Sequence, residues 1–373
     1  MHSKTLVSKI AFLLLVTFYS CAQQKPNSKK ELATELDALF SKKFKENEPG
    51  AAVLLIQGEN KLFEQGYGIA DLKTKEKITA NTVFNTGSIS KTFVANGILI
   101  LQEKGLLSVE DSIYKYFPDF NNIEIAKKVK IKHMLSHTSG LPDLRDVRNN
   151  IEFYITAKDT ANFAPTKRAD SLIFQPGEKY MYSNPSYNGL ALIIEQLANQ
   201  KWQQFIIDRI FKPSGMGTSK ITDGDHPNAN VAHAYIQNET GAFEEYDYGG
   251  VWSSVNELAK YEVALRNHTF LSKETIEKSR TVFKPKNWAD SIPPNVGYSW
   301  FLDEEGLVRV SLEKDFQTKI VSHTGSQGGF RAFLISFPEK ELTYIMLSNR
   351  PFSGFSDLIK DSLSLFHKYG LIE

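Results

Sequence analysis

Strand patterns lie near both ends of this chain, and helical patterns separated by polar loops fill its middle. Residues 51–56 and 62–70 flank a turn at 58–61, which predicts a strand hairpin. The strand pattern returns from about Gly297, in residues 298–302, 307–312, 329–337 and 342–347, the last two joined by a turn at 338–341. We therefore expect the two ends to pair in one antiparallel sheet, with a helical region inserted between them.

Amphipathic helices are predicted on both sides of this inserted region and within it. Apolar residues recur at helical spacing along residues 29–46 and again around 355–366. The helical patches of the middle are residues 129–136, 187–198, 202–210 and 255–266. The predicted fold class is α+β. One domain spans 29–373, with 29–110 and 289–373 as its α/β part and 111–288 as its mainly helical part.

The charge balance excludes some classes of partner. The 373 residues carry 44 Lys and Arg against 43 Asp and Glu, a formal net charge of +1. Removal of the first 20 residues takes away two lysines and leaves a net charge of −1. We therefore expect no nucleic acid among the partners. The sequence does not predict an oligomeric state.

The N-terminus has the pattern of a bacterial lipoprotein signal. Lys4 and Lys9 precede an apolar run over 10–16 that is too short for a stable membrane span. Cys21, the single cysteine, follows where this run ends. We interpret 1–20 as a signal peptide, Cys21 as a lipidation site and 21–28 as a tether. An ordinary secretory signal with an incidental cysteine is the alternative. The expected location is the cell envelope, lipid-anchored on the extracytoplasmic side.

Ser88 is the first candidate for chemistry. It follows Gly87 directly and opens an amphipathic helix that runs to about Lys104, with Gly105 as a stop signal. Lys91 lies one helical turn further on, so its amine shares the face of the Ser88 hydroxyl. A serine hydroxyl is a weak nucleophile until a base takes its proton, and a neighbouring amine provides such a base.

Ser-x-x-Lys by itself is a weak motif, because the chain also contains Ser112/Lys115 and Ser311/Lys314. Only Ser88 combines a preceding glycine with a mostly apolar helix behind it. Without further support, a helix-cap serine beside a solvated lysine remains the alternative.

Tyr182 and Asn184 form the second candidate, the single Tyr-x-Asn of the chain. They follow Pro176-Gly177 on a loop, and alternate positions of an extended segment place phenol and amide on one side. A phenol acts as a base near neutral pH only beside cations, and Lys91 is a suitable cation. A loop anchor that packs its ring is the alternative interpretation of Tyr182.

The third candidate is the glycine-rich segment 322–329. We place it before a strand, where its glycines allow a ligand to approach the backbone. A backbone N–H of this segment and that of Ser88 form a possible oxyanion hole. His323 and Thr324 are candidates for binding a substrate carboxylate. A plain glycine-rich turn is the alternative.

No metal site and no cofactor are predicted. His133 and His137 have the i, i+4 spacing of a metal-binding helix, but Met134 stands where the metalloprotease pattern needs Glu. We expect His137 to hold a loop by hydrogen bonds instead. No Gly-x-Ser-x-Gly elbow surrounds any serine, which disfavours an α/β-hydrolase, although a Ser-His-Asp triad is not excluded by residue types.

Together these segments resemble the serine beta-lactamase and penicillin-binding protein family, in the branch of class C beta-lactamases, serine DD-carboxypeptidases and related esterases. Three motifs occur in the family's order: Ser88-Ile89-Ser90-Lys91, Tyr182-Ser183-Asn184 and His323-Thr324-Gly325. Four surrounding segments also resemble family landmarks: 82–87, 135–142, 249–254 and 348–349. The likeness spans about residues 30–370 and implies a beta-lactamase/transpeptidase-like fold.

The resemblance implies roles for the candidate residues. Ser88 would attack a carbonyl to give an acyl-enzyme, with Lys91 and Tyr182 moving its proton. Asn184 would position the substrate amide, and the backbone N–H groups of Ser88 and Ser326 would hold the oxyanion. His323, Thr324 and Gly325 belong to the third motif, in which the first two would flank the leaving side or a substrate carboxylate.

His323 departs from the family pattern, because most beta-lactamases carry lysine there. Since a neutral imidazole anchors a carboxylate less well than an ammonium, we expect pH to modulate binding. The sequence therefore predicts a serine hydrolase of the DD-carboxypeptidase type, acting on a peptide or another small molecule that contains D-amino acids. An esterase or a beta-lactamase of the same fold is the alternative, and a non-catalytic muropeptide-binding lipoprotein is the alternative from another class.

Overall fold

The computed structural model describes residues 26–147, 158–224, 226–227, 230–246, 249–302 and 318–373. The predicted signal peptide and Cys21, the predicted strand 307–312, and the pair Ser311 and Lys314 lie outside the described residues. Within them, no helix combines the length and the apolar composition needed to cross a bilayer.

The helices are α1 Pro26–Lys43, α2 Ser90–Glu103, α3 Ile123–Lys128, α4 Ile131–Leu135, α5 Asp159–Phe163, α6 Asn184–Ala198, α7 Trp202–Ile206, α8 Val255–Arg266, α9 Lys273–Ser279 and α10 Phe355–Lys368. Short 3₁₀ segments occur at Gly87–Ile89, Ile113–Lys115, Thr166–Arg168 and Pro338–Lys340, and a π-helical turn at Ile207–Phe211 follows α7.

The strands are β1 Ala51–Gln57, β2 Asn60–Tyr67, β3 Ile69–Asp71, β4 Glu76–Lys77, β5 Phe84–Asn85, β6 Lys220–Thr222, β7 Tyr235–Gln237, β8 Phe243–Glu245, β9 Gly250–Ser253, β10 Val321–Gln327, β11 Phe330–Phe337 and β12 Leu342–Ser348.

The main sheet joins the two ends of the chain, as the sequence predicts. Its strand order is β10-β11-β12-β1-β2, and every neighbouring pair is antiparallel. Ala51 of β1 pairs with Ser348 of β12, close to 300 residues away in the sequence. Smaller sheets, β5-β9-β6 among them, lie outside this main sheet. The α+β fold class is confirmed.

Both faces of the sheet are covered, which explains why β1 reads as a continuous apolar run. Ala51, Val53 and Leu55 pack in one core with the terminal helices α1 and α10. Ala52 and Leu54 point the opposite way, into the larger core that contains the helical region. The sheet therefore lies between the terminal helices and the central part of the chain.

Helix α2 passes through the larger core and is buried on all sides from Lys91 to Leu101. It contacts α6 and α7, while the 3₁₀ turn before it contacts β10 and β11. Helix α2 ends as predicted, with Gly105 at φ +70°. The start of α2 is therefore fixed between the sheet and the helical region.

Four local expectations differ from the structure. Residues 298–302 form no strand: Gly297 and Ser299 (φ 72°) belong to a tight turn, and only single bridges join Phe301 to Val296 and Ser322. Helix α1 begins at Pro26, so the last residues of the predicted tether are helical. Segment 321–327 is itself a strand. The patch 129–136 holds only the short helix α4.

Candidate active site

Ser88 lies in the 3₁₀ turn that leads into α2. Gly87 supplies the turn with φ +53°, and its N–H donates to Asn85 Oδ1 at 2.8 Å. The Asn85 amide in turn donates to the carbonyl of Gly249, beside β9. This bonding fixes the backbone just before Ser88, and the Ser88 hydroxyl faces the cleft described below.

Lys91 Nζ donates a hydrogen bond to Ser88 Oγ at 3.0 Å. Lys91 is only 7% exposed, and its side chain lies beside two aromatic rings. Nζ lies 5.1 Å from the ring centroid of Tyr182 and 5.7 Å from that of Tyr187. A cation over the face of an aromatic ring is attracted by the ring quadrupole, so these rings hold the lysine near the hydroxyl.

Tyr182 and Asn184 lie where a loop enters α6. Ser183 caps this helix by accepting the N–H of Ser186 at 3.3 Å, and Pro185 occupies the first turn. Tyr182 and Asn184 flank the cap and are both exposed, whereas Ser183 is buried. The alternation that the sequence predicts for the phenol and the amide is therefore present.

Strand β10 carries the third motif and packs directly on the Ser88 turn. A Cβ atom on Gly325 would lie 2.0 Å from the carbonyl oxygen of Thr86, and one on Gly87 would lie 2.6 Å from the backbone nitrogen of Ser326. Only glycine permits so close an approach at these two positions. The approach brings Thr324 and Ser326 to the same cleft as Ser88.

The environment of His323 contradicts the expectation that pH modulates binding through it. The ring is 1% exposed, and burial, followed by the charge of Lys91, lowers its pKa to about 3. Nδ1 lies 2.7 Å from the carbonyl oxygen of Thr324, so Nδ1 donates and Nε2 carries the lone pair. His323 is therefore neutral near pH 7, and its Nε2 lone pair does not attract a carboxylate.

The three motifs line one cleft of about 1020 Å³. Its lining includes seven of the predicted site residues: Ser88, Lys91, Tyr182, Asn184, His323, Thr324 and Ser326. Gly325 is not part of this lining but makes the close contact with Thr86 described above. The structure thus brings together segments that are about 90 and 140 residues apart in the sequence.

Sequence reasoning missed several residues of the cleft wall. Arg145 lines it and is held by Asp143 and by Asn162. Asp159 also lines it, and burial raises the pKa of its carboxyl group although Asn188 and Trp202 donate to it. None of these residues lies in a motif with local spacing, so only the tertiary structure reveals them.

His137 holds a loop by hydrogen bonds, as the sequence analysis expects. Its Nδ1 accepts the N–H of Ser183 at 3.1 Å, and its backbone carbonyl accepts the N–H of Met181. His133 does not share a helix face with it, because α4 ends at Leu135 and His137 has φ +57°. In the described part of the chain, no three His, Cys, Asp or Glu side chains are arranged to hold a metal ion.

Ser112 and Lys115, the second Ser-x-x-Lys pair, do not line the cleft. Lys115 instead forms an exposed ion pair with Asp111 at 2.9 Å. The motif Ser-x-x-Lys is therefore not sufficient to place a serine in the cleft.

The chain matches a family profile, several relatives by sequence, and solved structures by fold. Residues 34–365 match the sequence profile of the family described as Beta-lactamase. Penicillin-binding protein 4* of Bacillus subtilis is 29% identical over 354 residues, covering 87% of this chain and 73% of that protein. Protein flp of Staphylococcus aureus is 26% identical and covers 81% of this chain, which spans only 59% of flp.

The fold also matches that of a solved structure, the D-amino acid amidase from Ochrobactrum anthropi in complex with L-phenylalanine amide. The TM-score is 0.72 with 18% sequence identity, covering 92% of this chain and 98% of the amidase chain. At this level of identity, the match shows a shared fold.

Proposed function

The chain belongs to the beta-lactamase family of serine hydrolases, and from that premise we propose that it is a DD-carboxypeptidase-like peptidase. It forms an acyl-enzyme on Ser88 and acts on substrates of the cell-wall type that contain D-amino acids. The observation that carries the proposal is the 3.0 Å hydrogen bond between Lys91 Nζ and Ser88 Oγ, within the cleft that Tyr182, Asn184 and Ser326 also line.

In the proposed reaction, Ser88 Oγ attacks the carbonyl carbon of the scissile amide. Its proton passes to the base formed by Lys91 and Tyr182, which face each other across 5.1 Å from Nζ to ring centroid. The resulting oxyanion accepts hydrogen bonds from the backbone N–H groups of Ser88 and Ser326. The C–N bond then breaks, the leaving amine takes up the proton, and the acyl group remains as an ester on Ser88.

Water completes the cycle by hydrolysing this ester. It adds to the acyl carbonyl while the Lys91–Tyr182 pair takes its proton, and that proton returns to Ser88 Oγ as the ester bond breaks. Asn184 lies at the exposed start of α6, where its amide is free to orient the substrate amide. Thr324 on β10 is the candidate for the substrate carboxylate, because the His323 ring is buried and neutral.

The names of two similar proteins support a D-amino-acid substrate over other acyl compounds. One relative carries the name penicillin-binding protein, and a protein with the same fold is a D-amino acid amidase. The cleft volume of about 1020 Å³ lies at the upper end of the range for small-molecule pockets, which suits a peptide.

A panel of three substrates on wild type and Ser88→Ala tests the proposal. We expect release of D-alanine from a peptide ending in D-Ala-D-Ala, with slower hydrolysis of a nitrophenyl ester and of nitrocefin. A fluorescent penicillin should label wild type covalently but not Ser88→Ala. Labelling of the Ser88→Ala variant would refute the assignment of Ser88 as the nucleophile. Faster turnover of the ester or of nitrocefin would favour the esterase or the beta-lactamase, and tight muropeptide binding without turnover would favour a binding protein.

We also propose that the protein is anchored in the cell envelope by lipid on Cys21. The support is the position of this cysteine shortly after the apolar run 10–16, at the end of the N-terminal signal pattern. Cys21→Ser should abolish incorporation of labelled palmitate and move the protein out of the detergent phase. Unchanged partition of the variant would overturn the anchor.

A further inference from the structure

The ring of His137 lies directly against that of Tyr182. The two ring centroids are 4.3 Å apart and the planes are 27° from parallel, so the rings stack. Tyr187 and Tyr180 pack on the same imidazole, with centroids 5.0 and 6.0 Å away. His137 is 1% exposed, so these contacts enclose it. The imidazole therefore supports the Tyr182 ring by direct stacking.

Two hydrogen bonds that His137 accepts also fix the backbone on both sides of Tyr182. The N–H of Ser183 donates to Nδ1 at 3.1 Å, and the N–H of Met181 donates to the His137 carbonyl at 2.9 Å. A backbone N–H can only donate, so Nδ1 is unprotonated and Nε2 carries the ring hydrogen. The residues before and after Tyr182 are thus both tied to one residue of the 135–142 loop.

We propose that His137 is a positioning residue for the reaction, which holds the Tyr182 phenol beside the Lys91 ammonium. This inference rests on the proposed function, in which Tyr182 and Lys91 move the proton of Ser88. Stacking on the imidazole fixes the position of the Tyr182 ring. The hydrogen bond to Nδ1 fixes the backbone direction after Tyr182. Proton transfer needs donor and acceptor within hydrogen-bond reach, so a small displacement of the phenol slows the reaction.

Positioning, as opposed to proton exchange, agrees with the charge state of the ring. Burial lowers the pKa of His137 well below its ordinary value, and the nearby charge of Lys91 acts in the same direction. The imidazole is therefore neutral near pH 7. Its neutral form also keeps the Nδ1 lone pair that Ser183 requires.

Two substitutions separate the contributions of the ring and of Nδ1. His137 has φ +57°, a conformation that asparagine and glycine tolerate. His137→Asn keeps an acceptor near Nδ1 but removes the stacked ring, and His137→Gly removes both. The matched control is His268→Gly, since His268 is an exposed histidine with φ +56° that does not line the cleft.

The measured quantity is the rate at which a fluorescent penicillin acylates Ser88, together with its noncovalent binding before acylation. We expect a loss of about 10²-fold in the acylation rate for His137→Gly, a smaller loss for His137→Asn, and none for His268→Gly. Noncovalent binding should change little, because His137 does not line the cleft. The acid limb of the pH profile, the fall of the acylation rate at low pH, should be the same in His137→Asn as in wild type.

The outcomes distinguish this inference from the function on which it rests. Wild type that is not acylated at Ser88 would overturn both. Normal labelling of wild type, with an unchanged acylation rate in folded His137→Gly, would overturn the positioning role alone. Loss of the acid limb in His137→Asn would show that the ring itself titrates, which also contradicts the proposal. Thermal melts of each variant identify any that fail to fold.

Discussion

A Cβ atom placed on Gly87 would lie 2.6 Å from the backbone nitrogen of Ser326. Real Cβ atoms do not come so close to backbone, so the turn before the nucleophile and strand β10 meet at a distance that only glycine allows. The two proposed oxyanion donors, the N–H groups of Ser88 and Ser326, belong to the two segments that meet there. The separation of these donors therefore depends on Gly87.

Gly87→Ala should reduce acylation of Ser88, because the added methyl group pushes β10 away from the nucleophile. Loss of a correctly placed oxyanion donor costs about 10²–10³-fold. Gly105→Ala is the matched control: Gly105 also has positive φ (+70°), but its Cβ would meet nothing within 4 Å. Comparing acylation rates and melting temperatures of the two variants separates crowding from backbone strain. Equal rates in both variants would contradict the role of the contact.

Lys91→Met should abolish most of the acylation while leaving the fold intact. The lysine donates the hydrogen bond to Ser88 Oγ, and methionine keeps the length and the apolar stem without the amine. A positioned acid–base group contributes about 10²–10⁴-fold. Lys104→Met, at the exposed C-terminal end of the same helix, is the control and should acylate normally. Single-turnover labelling gives both rates, and a loss below tenfold in Lys91→Met would argue against the base.

Four of the five strands of the main sheet, all except β10, were predictable because they carry their own signal. Residues 51–56 and 342–347 are apolar and bounded by turn residues, and burial on both faces of a sheet selects such runs. Helix α8 starts at Val255 for an equally local reason: Ser254 accepts the N–H of Glu257. Local chemistry was sufficient for these elements.

Other features depend on partners far away in the sequence. Segment 321–327 is mostly polar, and it becomes a strand because β11 pairs with it and the turn at Thr86 packs on it. Residues 298–302 have a strand-like composition but fold into a turn at Ser299. The motifs predicted which residues line the cleft, but not the contact between His137 and Tyr182, since no periodicity connects positions 45 residues apart.

Arg280 and Glu262 form a buried pair that should be costly to break. Arg280 is 5% exposed and Glu262 2%, and the guanidinium donates two hydrogen bonds to the carboxylate at 2.8 and 2.7 Å. Arg280→Met leaves the carboxylate buried without a cation, so we expect a loss of about 3–5 kcal/mol in the free energy of unfolding. Urea denaturation measures this loss.

The exposed ion pair of Lys273 and Glu277, 3.8 Å apart, provides the comparison. Lys273→Met should change the free energy of unfolding by less than about 1 kcal/mol, because solvent screens exposed pairs. Replacing both Arg280 and Glu262 by methionine should recover part of the loss, since no uncompensated charge then remains. A stability of Arg280→Met equal to that of Lys273→Met would contradict the importance of burial.

Buried histidines should make the protein less stable as the pH falls below neutral. Burial, with the charges of Lys132 and Lys130, lowers the pKa of His133 to about 4 from 6.5, and burial lowers that of His323 to about 3. Between these folded values and 6.5, the unfolded chain binds protons that the folded chain excludes, so stability is full above 6.5 and decreases below it. Each ring contributes a slope of up to about 1.4 kcal/mol per pH unit.

His133→Gln should therefore reduce the slope of stability against pH by about the contribution of one ring, whereas His268→Gln, which replaces an exposed histidine, should not. Urea denaturation between about pH 5 and 7 measures the slopes, in a window where the carboxylates with lowered pKa values stay ionised. A slope for His133→Gln equal to that of wild type would mean that His133 does not titrate differently in the folded protein.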